Sequence, residues 1–162
     1  MTLRRAAAAD WPALWPMLRE TFRGGDTYAV APDISEDAAR HYWLETPAET
    51  WLAEDGAVLG TYYLRANQQG GGAHVCNCGF VTDPQARGRG VARAMCLHAQ
   101  DRARALGFAA MQFNFVVATN TGALHLWHDL GFETVGRLPR AFRHPAAGLV
   151  DAFVLYKWLE AG

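Results

Sequence analysis

The sequence predicts a mixed α/β fold: a mostly antiparallel sheet of about seven strands with one central parallel pair, and helices on both faces. Three observations carry this. Apolar runs at Thr50 to Glu54 and Ala57 to Ala66 flank Asp55-Gly56, a two-residue hairpin signal. A third run, Ala73 to Val81, follows the polar, glycine-rich turn Asn67 to Gly72, so three strands form a meander. From Gly79 onward the chain reads strand, glycine loop, helix, strand, and such a unit makes a parallel pair.

The elements follow in order. Leu3 to Ala6 is a short first strand. Asp10 stands as N-cap and Pro12 in the first turn of a helix that presents Trp11, Leu14, Trp15, Leu18 and Phe22 on one face and ends at Gly24-Gly25. Ser35 caps a second helix, with Glu36 and Asp37 in its first turn and Ala39, Tyr42 and Trp43 inward; Pro47 closes it. After the meander, Val91, Met95, Ala99 and Ala103 mark the buried side of a third helix that ends at Gly107. Ala109 to Val117 is a strand. Asn120 to Leu130 is a helix with Ala123, Leu126, Trp127 and Leu130 inward and Gly131 as its cap. Phe132 to Leu138 is a strand, Pro139 to Gly148 a loop, and Leu149 to Trp158 the last strand.

Composition narrows the function classes. At 162 residues, 51% of them apolar, the chain is read as one domain, 1–162, with a proper core. A net charge of −1 gives no general attraction to nucleic acid or membrane. No signal peptide and no membrane-spanning run is read, so a cytoplasmic location is expected, with Cys76, Cys78 and Cys96 as free thiols. The sequence leaves the oligomeric state open, a homodimer included.

The chemistry concentrates in Asp83-Pro-Gln-Ala-Arg-Gly-Arg-Gly-Val-Ala92. Gly88 and Gly90 free the backbone for a tight turn and for close approach by a ligand. The following helix N-terminus offers unpaired N–H groups and partial positive charge, and Arg87 and Arg89 add full charges, a combination suited to phosphate.

Gln85-x-x-Gly88-x-Gly90-x-Ala92 resembles the pyrophosphate loop of the Gcn5-related N-acetyltransferase (GNAT) family. Asn120-x-x-Ala123-x-x-Leu126-Trp127-x-x-x-Gly131-Phe132 is similar to that family's second signature, in the right order and at a fitting separation. The resemblance implies acetyl-CoA as donor and direct attack of an amine on the thioester. It also implies a sheet that splays between the strand ending near Val81 and the strand Ala109 to Val117. By position, the N–H groups from Arg87 through Arg89 and Gly90 to Val91 would hold the pyrophosphate. Phe80 and Val81 would pair with the pantetheine arm through main chain, and Asn120 would hydrogen-bond it. Where most of the family has a tyrosine, the usual candidate acid for the leaving thiolate, this chain has Trp127, whose indole N–H is no such acid. Either water protonates the thiolate, or the thiolate leaves unprotonated, or another group such as Tyr28 does the work; Trp127 itself is either core on an inward helical face or part of the thioester site.

Polar residues inside strands form the other anomaly. Asn77 shares a face with Val75 and Val81, and Gln112 with Asn114, positions where an unsatisfied amide is costly. They either satisfy one another and nearby backbone or face the cleft and bind the acceptor. Met111 to Asn114 and Ala141 to Pro145, with the spacing of Asn77, Asn114 and Asn120, resemble in part a subset of the family that acetylates proline analogues such as azetidine-2-carboxylate. No zinc set, dinucleotide fingerprint or Ser/His/Asp triad is supported, because the second Cys/His pair, the third glycine and the nucleophile elbow are missing. The expected activity is therefore N-acetylation of a small amine or amino acid. No catalytic base is evident, and a water chain is expected to take the proton. The alternatives are a non-catalytic acetyl-CoA sensor and a protein N-terminal acetyltransferase.

Overall fold

Seven strands form one sheet in the order β1-β2-β3-β4-β5-β7-β6. β1 (Thr2–Arg5), β2 (Glu49–Glu54), β3 (Val58–Ala66) and β4 (Val75–Thr82) pair antiparallel. β4 runs parallel to β5 (Ala110–Val117), and β7 (Gly148–Trp158) and β6 (Glu133–His144) complete the sheet antiparallel. The computed structural model describes residues 1–159; the last three positions of the expected 1–162 domain lie outside the described residues. Among the described residues no helix is long and apolar enough to cross a membrane.

Each face of the sheet carries its own core. Under α1 (Trp11–Gly24) and α2 (Glu36–Arg40), the residues Trp11, Leu14, Leu18, Phe22 and Trp43 pack on Leu52, Tyr63 and Val81. Under α3 (Val91–Ala105) and α4 (Thr121–Asp129), the residues Val91, Met95, Ala99, Ala103 and Trp127 pack on Tyr62, Met111 and Phe113. The three cysteines are free and buried in this second core.

Several expectations are corrected. Asp10 occupies the N-cap position of α1 but does not cap it. Its carboxylate is taken by Arg4, at 2.7 and 3.0 Å, and by the N–H of Ala7 at 2.7 Å. Trp15 is half-buried, stacked on Trp11 with Arg23 above it, while Met17 takes a buried position. The second helix holds α-geometry only to Arg40 and widens to a π turn over His41–Glu45. The loop expected over Pro139 to Gly148 is mostly strand. Proline is tolerated because β6 is the sheet edge, where no ladder bond needs its missing N–H.

The splay has a local cause. β4 and β5 pair only at Val75–Ala110, Cys76–Met111 and Asn77–Gln112. Just beyond, Phe113 faces Leu155 and Val116 faces Phe153, so Asn114 and Phe115 together oppose Val154. A bulge of this kind bends its strand, and here it turns β5 away from β4. The side chain of Asn77 continues where the ladder stops, donating to the Gln112 carbonyl at 2.9 Å.

A Cβ on Gly79 would lie 2.4 Å from the Tyr63 ring. Gly79→Ala should lose about 1–3 kcal/mol of stability in urea unfolding, with the Tyr63 ring displaced. Glu49, 4% exposed, accepts from Arg102 at 2.7 and 3.1 Å and from the Trp51 indole at 2.7 Å, with Arg5 at 3.3 Å. Burial alone would raise its carboxyl, but Arg102, Trp51 and Arg5 outweigh burial and hold it below the ordinary carboxylate range. Because the folded value is the depressed one, this stabilisation is present above the ordinary range and is lost as pH falls through the folded value. Urea midpoints measured from about pH 7 to about pH 3 should fall less steeply for Glu49→Gln than for the wild type.

Candidate functional site

The pleat of β4 determines which main-chain groups reach the gap. Bonds from Asn67 N to Val75 O and from Asp83 N to Leu59 O, both 2.8 Å, mark hydrogen-bonded pairs at the two ends of the β3–β4 ladder. Alternation between them turns the N–H and C=O groups of Phe80 and Thr82, and the C=O of Cys78, away from β3 and into the gap. Those of Gly79 and Val81 are spent on β3, so of the two residues expected to pair with pantetheine only Phe80 presents its main chain to the opening. Tyr28 reaches in from the loop after α1 and donates to the Phe80 carbonyl at 2.8 Å. Burial among Phe22 and Trp43 raises its phenol well above the ordinary tyrosine value, so it stays protonated.

A cavity of about 980 Å³ crosses the sheet through this gap. On the α1/α2 face it is lined by Tyr42, Tyr63 and Asn77, and on the α3/α4 face by Phe113, Leu126 and Trp127. Trp127, 8% exposed, packs its ring 5.2 Å from Phe80 and 5.1 Å from Phe113, so it belongs both to the core and to the cavity wall. Asn120 caps α4 by accepting from Ala123 N at 3.4 Å and also lines the cavity.

One end of the cavity reaches the glycine loop, where a further groove of about 250 Å³ is lined by Arg87, Gly88, Gly90, Val91, Ala92 and Arg93, among others. Gly88 and Gly90 adopt φ of 75° and 76°, and a Cβ on either would meet nothing within 4 Å. The helix's first backbone bond is from Ala94 N to Gly90 O, and among the described residues no N–H from Arg87 to Arg93 is bonded within the protein. This row of free donors at a helix N-terminus fits a pyrophosphate. Arg87 lines the groove; Arg89 turns instead toward Asp55, at 3.7 Å, and Gln85 is exposed, lining neither space.

The other end holds the polar strand residues. Asn77 and Asn114 both line the cavity and do not bond each other. The Asn77 oxygen accepts from the Tyr63 hydroxyl at 3.2 Å. The Asn114 oxygen accepts from Gln112 at 3.0 Å, and its nitrogen donates to Asn67 at 2.7 Å. Each amide therefore keeps one N–H to offer. Sequence reasoning missed Glu20, Asp26, Tyr42, Tyr63 and His144, which also line the cavity. They come from four separate segments, and no local pattern ties them together.

The residues 11–132 match the family model for the acetyltransferase (GNAT) family. The chain belongs to the GNAT family. N-acetyltransferase aca1 of Schizosaccharomyces pombe is 34% identical over 148 residues, covering 80% of this chain and 71% of that protein. A GCN5-related N-acetyltransferase from Kribbella flavida superposes with a TM-score of 0.92 at 44% identity, over 97% of this chain and 96% of that one. A GNAT phosphinothricin acetyltransferase from Sinorhizobium meliloti, solved in complex with acetyl-CoA, gives a TM-score of 0.86 at 26% identity, over 99% of this chain and 89% of that one. The protein is thus a GNAT acetyltransferase with acetyl-CoA as co-substrate.

Gly90→Glu would force a side chain into left-handed backbone and set a carboxylate beside the free N–H groups. Calorimetry should find acetyl-CoA affinity lowered by on the order of 10- to 100-fold in the folded variant. Unchanged affinity would place the pyrophosphate elsewhere.

Proposed function

We propose that this GNAT enzyme acetylates the nitrogen of a small amino or imino acid by direct transfer. The observation that carries this reading is the polarity of the cavity's far end. Asn77 and Asn114 have N–H groups left over while their oxygens are engaged, which suits a substrate carboxylate. Glu20 and Asp26, on α1 and the loop after it, give the same cavity a negative side, which suits an ammonium group.

Acetyl-CoA supplies the acetyl group as a thioester. In this reading, free N–H groups from Arg87 to Arg93 hold the pyrophosphate and the main chain of Phe80 pairs with the pantetheine arm. Asn120 supports the arm, and Trp127 and Phe113 wall the thioester off from water. Glu20 or Asp26, through water, accepts the proton the ammonium must lose. The one hydrogen of Tyr28 is held by the Phe80 carbonyl and burial weakens the phenol as an acid, so in this reading water, rather than Tyr28, protonates the leaving thiolate. Proline analogues of the azetidine-2-carboxylate kind are the preferred class, on the partial likeness at Met111 to Asn114 and Ala141 to Pro145.

Free thiol released from acetyl-CoA, measured over cyclic imino acids, primary amino acids, simple amines and N-terminal peptides, tests the reading. Turnover confined to peptides would favour acetylation of protein N-termini; binding without thiol release would favour a sensor. On the best acceptor, Asn77→Ala and Asn114→Ala should each lower turnover by on the order of 10- to 1000-fold with acetyl-CoA binding intact. Near-wild-type turnover in both would make the asparagines structural. Trp127→Tyr should raise the rate and add an alkaline limb to the pH profile if acid catalysis limits the wild type.

A further inference from the structure

We propose that His144 is a specificity-determining residue at the acceptor end of the cavity, a fixed N–H donor to the acceptor's carboxylate; this rests on the amino-acid reading above. Two bends bring it there. In β6, Leu138 faces Ala152 and Phe142 faces Val150, so three residues oppose Asp151 alone. The bend is held by Arg140, in left-handed backbone at φ 52°, whose N–H donates to the Asp151 carboxylate at 2.9 Å. A non-glycine residue keeps such a conformation only where its surroundings impose it. Phe142 then packs on Phe115, 6.1 Å away, which is part of the bulge that opens the splay. The end of the β6–β7 hairpin is thus tied to the bulged part of β5, and His144 lines the cavity alongside Asn114 and Phe115.

The hydrogen bonds of His144 define what it can offer. Its Nδ1 lies 3.1 Å from the N of Ala146 and 3.0 Å from the N of Ala147. Both of those groups are donors, so Nδ1 is the bare, accepting nitrogen, and the neutral imidazole carries its hydrogen on Nε2. Nε2 has no protein partner among the described residues. The free side of the ring therefore offers an N–H and no accepting lone pair. Because the turn fixes the ring, little side-chain freedom is lost when a ligand binds. His144 joins the spare N–H groups of Asn77 and Asn114, on a third element, in a donor set matched to an anion.

The test compares wild type with His144→Asn on matched acceptors: the best amino or imino acid and its carboxamide. An asparagine oxygen can still accept from the turn N–H groups, as in an Asx turn, but the ring N–H is gone. Thermal unfolding checks that the fold is kept, and His144→Gln serves as the second variant. The KM for the acid should rise on the order of 10- to 100-fold, with the KM for acetyl-CoA unchanged and the carboxamide, a neutral and weaker acceptor, affected less. Equal effects on acid and carboxamide, or none on the acid, would overturn the assignment. A wild type that does not prefer the acid would overturn the amino-acid reading itself and this role with it. A wild-type preference that survives in both variants would overturn the role of His144 alone.

Discussion

The last rung between β4 and β5, at Asn77–Gln112, is the point on which the rest of the site depends. A parallel pair that continued would leave no opening through the sheet, and one that ended without compensation would leave bare polar groups in a partly buried place. The Asn77 amide resolves this by bonding the Gln112 carbonyl, and is itself held by Tyr63. The Tyr63 hydroxyl has a single hydrogen, which goes to Asn77, so the 3.1 Å bond to Tyr42 must be donated by Tyr42. Gly79 leaves room for the Tyr63 ring to lie over β4, and the guanidinium of Arg65, two residues on along β3, sits 4.2 Å from that ring's centre. The fork is thus fixed by a short, fully directed chain of hydrogen bonds.

The two ends of the cavity differ in how they attract charge. The glycine loop uses backbone N–H groups and one helix end, which need no particular side chain beyond two glycines. The far end uses side chains from α1, β4, β5 and β6, each of which could vary without disturbing the loop. On the proposed function, this division lets the donor site be recognisable by its sequence while the acceptor site is not.

The contrast explains what the sequence made legible. Asp55-Gly56 announced its hairpin because turn chemistry is local, and Val91, Met95, Ala99 and Ala103 announced α3 because burial imposes a period. Gly88 and Gly90 stood out because a backbone conformation selects the residue type, and Asn120 because it opens the second signature. The bulge at Asn114–Phe115 was hidden, since it exists only against Val154 of a distant strand. Pro139 looked like a loop because nothing nearby reveals that β6 lies at the sheet's edge. His144 gained its meaning only once the hairpin was folded over β5, and Glu20 and Asp26 resembled any exposed acids on a helix and its following loop.

The buried cysteines add a property of another kind. Cys76 sits at the second-last rung of the parallel pair, and Cys78 at the first position past it, with its thiol in the core and its carbonyl toward the gap. Burial raises the Cys78 thiol well above its ordinary value, so it is protonated and inert while the sheet is closed. An alkylating reagent would reach it only in molecules whose core has opened locally. The splay thereby carries its own clock: labelling kinetics at Cys78 report how often this part of the sheet breathes, and a ligand lodged against the Cys78 and Phe80 main chain would slow that clock without touching the sulfur.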